Sequence, residues 1–162
     1  MSARAARGHR KAAGVRIELR RCVRSWSPTR RDLARWASVA AGRAAAGREL
    51  GVAMVGEAES RRLNARFRGR NRSTNVLSFA AGEAPHTDGG SLGELVICPR
   101  VLRAEARAYE KPLRAHWAHL VVHGTLHLLG YDHARASDAR RMERREIAVL
   151  KRLGFPNPYV SP

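Results

Sequence analysis

The longest uninterrupted helical pattern in the chain, over residues 113–129, constrains the fold most. Its apolar side chains fall on both edges of the helix: Leu113, Trp117, Val121 and Leu128 on one, and Val122, Leu126 and Leu129 on the other. A helix that is apolar on two edges needs partners on both and is therefore largely buried. The 162 residues suffice for one domain, which at this length buries about two thirds of its unfolded surface. We therefore expect a central helix enclosed by the rest of a single domain.

The flanking sequence predicts a mixed set of strands and helices. Alternating Val15, Ile17 and Leu19 predict a strand, and Ser27-Pro28 predicts the start of a helix that runs to about residue 47. The remaining predicted elements are a strand at 50–55, a helix at 57–67 ended by Gly69, strands at 75–80 and 92–98, and helices at 99–109 and 137–153. The order β-α-β-α-β-β-α-α-α indicates an α+β fold, with a single mixed β-sheet packed with helices. We expect the domain to span 13–155, after a basic extension at 1–12 and before a Pro-rich tail at 156–162, with a mobile Gly-rich loop at 82–90.

The central helix carries a candidate metal site. His123 and His127 are four residues apart and project from one face of the helix. Gly130 can adopt the left-handed conformation that turns the chain back, which brings His133 within reach. Three imidazoles and one open position are typical of catalytic zinc. We therefore predict a metal site on the central helix and the following turn.

Other interpretations of the histidines stay open. They could be ordinary core and surface residues, and His119 with His123 forms a competing pair at the same spacing. We expect His116 and His119 to lie in the outer shell of the metal site or to face solvent, and His9 and His86 to be incidental. Asp132 either orients His133 or caps the turn.

The ligand spacing H-x3-H-x2-G-x2-H equals that of the metzincin metalloproteases. Those enzymes carry a glutamate general base directly after the first histidine, whereas Gly124 stands there in this chain. We expect Gly124 to leave open space beside the metal that a ribose-phosphate could use. A peptidase would lack the carboxylate that protonates its leaving amine.

Charge narrows the class of partner. The chain has 31 basic and 14 acidic residues, a formal charge of +17, mostly from arginine. Guanidinium grips phosphate well, so nucleic acid, an acidic protein or an anionic membrane would fit, although codon bias could also favour arginine. The basic segment 66–72 could hold a phosphate or be a solvated loop.

The remaining features bear on compartment. No stretch approaches the roughly 18 apolar residues of a membrane span, and Cys22 and Cys98 occur without a CxxC motif, which favours free thiols in a reducing compartment. The basic start, residues 1–11, has no apolar signal region. It fits a disordered extension better than an organelle transit peptide.

Three motifs resemble the YbeY family of rRNA maturation factors. They are H-G-x-L-H-L-L-G-Y-D-H at 123–133, N-x-x-F-R-G at 64–69 and T-N-V-L-S-F at 74–79, and the strand G-E-L-V-I-C at 93–98 is similar to the next family block. The chain departs from the family at Ala134, where an acid is common, and in its long basic start.

The resemblance implies a single-strand-specific, zinc-dependent endoribonuclease that acts in 16S rRNA 3′-end maturation and ribosome quality control. It implies one Zn²⁺ per chain held by His123, His127 and His133, with Arg68 as a further catalytic residue. The implied partners are single-stranded rRNA, the small ribosomal subunit and ribosomal proteins in the cytoplasm, with no membrane and no small-molecule substrate. A zinc metalloprotease and a non-catalytic ribosome assembly factor with structural zinc are the alternatives.

Overall fold

The computed structural model describes residues 14–82 and 90–161. The strands there are β1 (Arg16–Arg21), β2 (Glu49–Met54), β3 (Val76–Ala80) and β4 (Ser91–Ile97). The α-helices are α1 (Arg30–Ala41), α2 (Glu57–Arg68), α3 (Pro99–Ala108), α4 (Leu113–Leu128) and α5 (Ala136–Leu153). The predicted order of elements is confirmed. The expected N-terminal extension, most of the predicted mobile loop, His9 and His86 lie outside the described residues.

The four strands form one mixed sheet in the order β1-β2-β4-β3. β1, β2 and β4 run parallel, and β3 pairs antiparallel with β4. Side chains alternate between the two faces, so Val52 and Leu95 enter the main core while Ala53 and Val96 belong to a smaller cluster behind the sheet. The α+β class with one mixed sheet is confirmed.

Helix α4 is the central helix that the sequence predicts. It packs against α1, α3 and α5 and against strands β3 and β4. Trp117, Val121, Val122 and Leu126 are completely buried in the main core. On the opposite face of the sheet, Leu63 of α2 packs against the smaller cluster that contains Phe79. The sheet therefore lies between α4 and α2, and its edge strand β3 lies beside both.

The predicted bounds of α1 were wrong at both ends. Thr29 caps the helix: its Oγ1 accepts the backbone N–H of Asp32 at 3.1 Å, and the Asp32 carboxylate accepts the backbone N–H of Thr29 at 3.1 Å. This reciprocal pair satisfies two free N–H groups, so the helix begins after Thr29 and not at Pro28. Gly42, with φ of 76°, ends the helix well before residue 47.

Cys22 is exposed and Cys98 is buried, and both are free thiols as predicted. Among the described residues, no helix combines the length and apolar character needed to cross a membrane.

Candidate metal centre

Three histidine rings converge where α4 ends and the chain turns back. His123 and His127 project from the last turns of α4, and Gly130 adopts φ of 91°. The backbone N–H of Tyr131 then donates to the carbonyl of Leu126 at 3.1 Å, which brings the returning chain against the helix. As a result, ligand nitrogens of His123, His127 and His133 all lie within 4.8 Å of one another.

The hydrogen bonds of the first two rings show which nitrogens are available. His123 Nδ1 bonds to the carboxylate of Glu146, and the ring of His127 bonds to the backbone of Tyr131. Burial, followed by the nearby rings of His123 and His133, lowers the pKa of His127 and favours its neutral form. His123 Nε2 and His127 Nε2 face each other at 3.1 Å. If both nitrogens present lone pairs, they repel at this distance unless a cation lies between them and His133, so the donor set fits zinc.

Glu146 is the residue that sequence reasoning missed. It extends from α5 and is completely buried, with its carboxylate bonded to His123, to His119 at 3.3 Å and to the Tyr159 hydroxyl. Burial alone would raise its pKa, but these hydrogen bonds outweigh burial and lower the pKa to about 2. The signal available in the sequence was its place on the apolar face of α5, four residues after Met142 and three before Val149.

Of the two alternatives expected for the other histidines of α4, the structure excludes the solvent-facing one. His116 is buried and bonds through Nε2 to the Glu105 carboxylate at 2.9 Å. His119 is only partly exposed and bonds to Glu146. Neither belongs to the group formed by His123, His127 and His133, although His119, His123 and Glu146 also form a compact set of possible ligands. Each ring therefore has one nitrogen bonded to an acidic side chain, Glu105 for His116 and Glu146 for His119.

A cavity of about 550 Å³ opens in front of the three histidines. Arg68 and Arg70, from the end of α2 and the following loop, line the same cavity as His123, His127 and His133. The structure thus brings together two segments that are more than 50 residues apart. This is the place where a phosphate could meet both a metal and a guanidinium.

Arg68 is held in place at this cavity by backbone carbonyls. Its Nη2 donates to the carbonyl of Ser78 at 2.7 Å and its Nη1 to the carbonyl of Phe67 at 3.2 Å. The guanidinium also lies 5.3 Å from the centre of the Phe79 ring. These contacts orient the guanidinium before any ligand binds and leave its other N–H groups for an anion.

Gly124 does not provide the open space that its lack of a side chain suggested. A Cβ at this position would lie 2.7 Å from Leu95 Cδ2 and 3.1 Å from Ser78 Oγ. The glycine therefore lets α4 approach β3 and β4 closely, and the expectation of room for a ribose-phosphate was wrong. The physical reason is that this face of α4 points into the sheet, whereas the histidines point toward the cavity.

Asp132 caps the turn before His133. Its Oδ1 accepts the backbone N–H of His133 at 2.7 Å, and this bond lowers the pKa of Asp132. Of the two roles considered for Asp132, the turn cap is the one with a defined partner.

Comparisons with known proteins found similar sequences and a similar fold. The family model described as Endoribonuclease YbeY matches residues 25–154. Proteins named Endoribonuclease YbeY from Bordetella pertussis and Bordetella bronchiseptica are each 56% identical over 116 residues, covering 72% of this chain and 73% of each relative. The solution structure of TM1509 from Thermotoga maritima superposes with a TM-score of 0.52 at 25% identity, covering 86% of this chain and 91% of that one.

Proposed function

Because this chain belongs to the YbeY endoribonuclease family, we propose that it is a zinc-dependent endoribonuclease that cleaves single-stranded RNA. We further propose that it matures the 3′ end of 16S rRNA and acts in ribosome quality control in the cytoplasm, with the small ribosomal subunit and its proteins as partners. The observation that carries the proposal is one cavity lined by both the three histidines and Arg68.

His123, His127 and His133 are the residues that would hold the metal, one Zn²⁺ per chain. Imidazole nitrogens match the borderline-soft preference of zinc, and three protein ligands beside an open cavity are typical of a catalytic site. When bound, zinc supplies Lewis-acid chemistry, lowering the pKa of water and polarising a phosphoryl oxygen. Glu146 holds the His123 ring from behind, so the ring presents Nε2 toward His127.

Arg68 would bind the phosphate and stabilise the negative charge that grows on it during cleavage. The bonds to the carbonyls of Ser78 and Phe67 fix the guanidinium beforehand, so little reorganisation is needed when the charge develops. Arg70 lines the same cavity and adds positive charge where the RNA backbone would pass. The arginine-rich composition of the chain supports an extended backbone contact of this kind.

The alternative functions have less support. A peptidase needs a carboxylate at the metal face, but Glu146 is completely buried on the Nδ1 side of His123. Gly124 is enclosed by Leu95 and Ser78 and supplies no base. A structural zinc in an assembly factor would normally be closed by a fourth protein ligand, whereas here the three histidines line an open cavity.

The direct test is to incubate zinc-loaded protein with single-stranded RNA and with a matched duplex. We expect cleavage of the single strand, and none by His127→Ala. Arg68→Ala should lower turnover about 10²–10³-fold, the usual cost of removing one preorganised donor, with zinc content unchanged. Arg68→Lys should restore little because a point charge does not replace the planar fork.

Arg66→Ala is the matched control. Arg66 is two residues away on the same helix and exposed, with its guanidinium 5.0 Å from the Phe67 ring. An equal loss of activity in Arg66→Ala and Arg68→Ala would show that Arg68 contributes only general positive surface charge. Casein hydrolysis that depends on His127, with the RNA left intact, would overturn the proposal as a whole.

A further inference from the structure

The carboxylate of Glu146 lies behind the metal centre and is contacted by three donors. His119 and Tyr159 bond to Oε2, and His123 bonds to Oε1. Because three donors face this carboxylate, it is best satisfied as an ionised acceptor. His123 then donates Nδ1–H, and Nε2 is the ring nitrogen that faces His127.

The same carboxylate supports the His123 ring as a metal ligand. Glu146 is completely buried and contacts the ring through Nδ1, away from the nitrogen that faces His127. A carboxylate that accepts Nδ1–H from an imidazole fixes the orientation of the ring and makes its other nitrogen a better ligand.

The third donor comes from the C-terminal segment, residues 155–160, which is anchored to α1 and to Lys111 just before α4. Phe155 packs edge-on against Trp36 at 5.7 Å, and Lys111 donates to the carbonyl of Pro158. Asn157 Oδ1 accepts the backbone N–H of Tyr159 at 2.9 Å, which sets the direction of that side chain. The Tyr159 hydroxyl therefore reaches Glu146 from a segment that packs against the rest of the domain.

We propose that Glu146 is a positioning residue for the metal centre, and that Tyr159 holds the Glu146 carboxylate against His123. The C-terminal segment then tunes the metal site although none of its hydrogen bonds goes to His123, His127 or His133. This inference rests on the proposed zinc site, and its test separates the two.

The first measurement is zinc affinity, by competition with a chromophoric chelator. Glu146→Gln should weaken zinc binding about 10–100-fold, as is usual for removing a carboxylate that supports a ligating histidine. Tyr159→Phe keeps the ring and removes one hydrogen bond, so we expect a smaller loss of about 2–10-fold.

Two matched controls make the same changes at the C-terminal end of α3. Glu105→Gln alters the carboxylate that bonds to His116, and Tyr109→Phe alters an exposed tyrosine beside the same ring. Both controls should bind zinc as the wild type does. Affinities of Glu146→Gln and Tyr159→Phe within twofold of the controls would overturn the inference.

The second measurement needs no metal. Long-range ¹H–¹⁵N correlation spectra of the metal-free protein report which ring nitrogen of each histidine carries the proton. We expect His123 to be Nδ1-protonated in the wild type and to populate both tautomers in Glu146→Gln. A mixed tautomer already present in the wild type would overturn the inference. Wild-type protein with no zinc affinity but a fixed Nδ1–H tautomer would instead refute the proposed zinc dependence and leave the role of Glu146 as an orienting residue supported.

Discussion

Replacing Gly124 with alanine tests the close contact between α4 and the sheet. The added Cβ would lie 2.7 Å from Leu95 Cδ2 and 3.4 Å from Leu95 Cδ1, against an ordinary separation of about 3.5–4.0 Å. Leu95 is completely buried, so neither methyl group can swing into solvent. We therefore place the packing cost in the upper part of the usual range, about 2–3 kcal/mol.

Alanine also favours the helix, by about 1 kcal/mol over glycine. The net expectation is that Gly124→Ala lowers the free energy of unfolding by about 1–2 kcal/mol. Denaturant unfolding followed by circular dichroism measures this change. Ala148→Gly, at an exposed position inside α5, measures only the cost of placing glycine in a helix.

A double-mutant cycle with Leu95→Val assigns the cost to the contact itself. Shortening Leu95 alone leaves a cavity, but combined with Gly124→Ala it makes room for the new methyl group. The double variant should therefore be more stable than the sum of the two single changes, by about 1 kcal/mol or more. Additive effects, or a Gly124→Ala variant that is more stable than wild type, would refute the close approach of α4 to β4.

His133→Ala should lose most of its bound zinc as measured by metal analysis of the purified protein, and wild-type occupancy in that variant would place the third ligand elsewhere. Affinity for single-stranded RNA should fall steeply with salt because several phosphates release counterions on binding arginine, and a flat dependence in a fluorescence titration would favour a protein partner. The ion pair with Arg114 lowers the pKa of Asp32 from 3.8 to about 2. Between these pH values the unfolded state binds more protons than the folded state. The pair therefore stabilises the fold fully above pH 3.8, and this stabilisation is lost as the pH falls toward 2. Asp32→Asn should remove about 1–2 kcal/mol at pH 7, below the full linkage value because Arg114 is half exposed, and a deficit that persists unchanged at pH 2 would contradict this assignment.

Much of the candidate site was predictable because its signals are local. A spacing of four residues places His123 and His127 on one helical face in any context. Gly130 marks the turn because few other residues accept its φ of 91°. The helix that carries them was predictable from its two apolar edges, and it is the most enclosed helix of the fold.

Other features depended on which elements pack together. Arg68 and the histidines share a cavity only because α2 and α4 lie beside the same edge strand, β3. Local patterns cannot specify that distance, since the two segments are far apart in the sequence. The predicted start of α1 at Pro28 was wrong for a related reason. The helix begins after Thr29 because the reciprocal hydrogen bonds between Thr29 and Asp32 form only in the folded helix.

Gly124, Glu146 and Tyr159 show most clearly what tertiary structure alone decided. From the sequence, Gly124 could equally border open space or a close contact, because a glycine specifies only the absence of a side chain. Glu146 was one acidic residue among 14 until the packing of α5 on α4 placed it against His123. The spacing of the histidines sets how close His123 and His127 lie because hydrogen bonds within a helix fix that geometry. The side chains that bond to these rings come from other elements, and only the packing of the core brings them together.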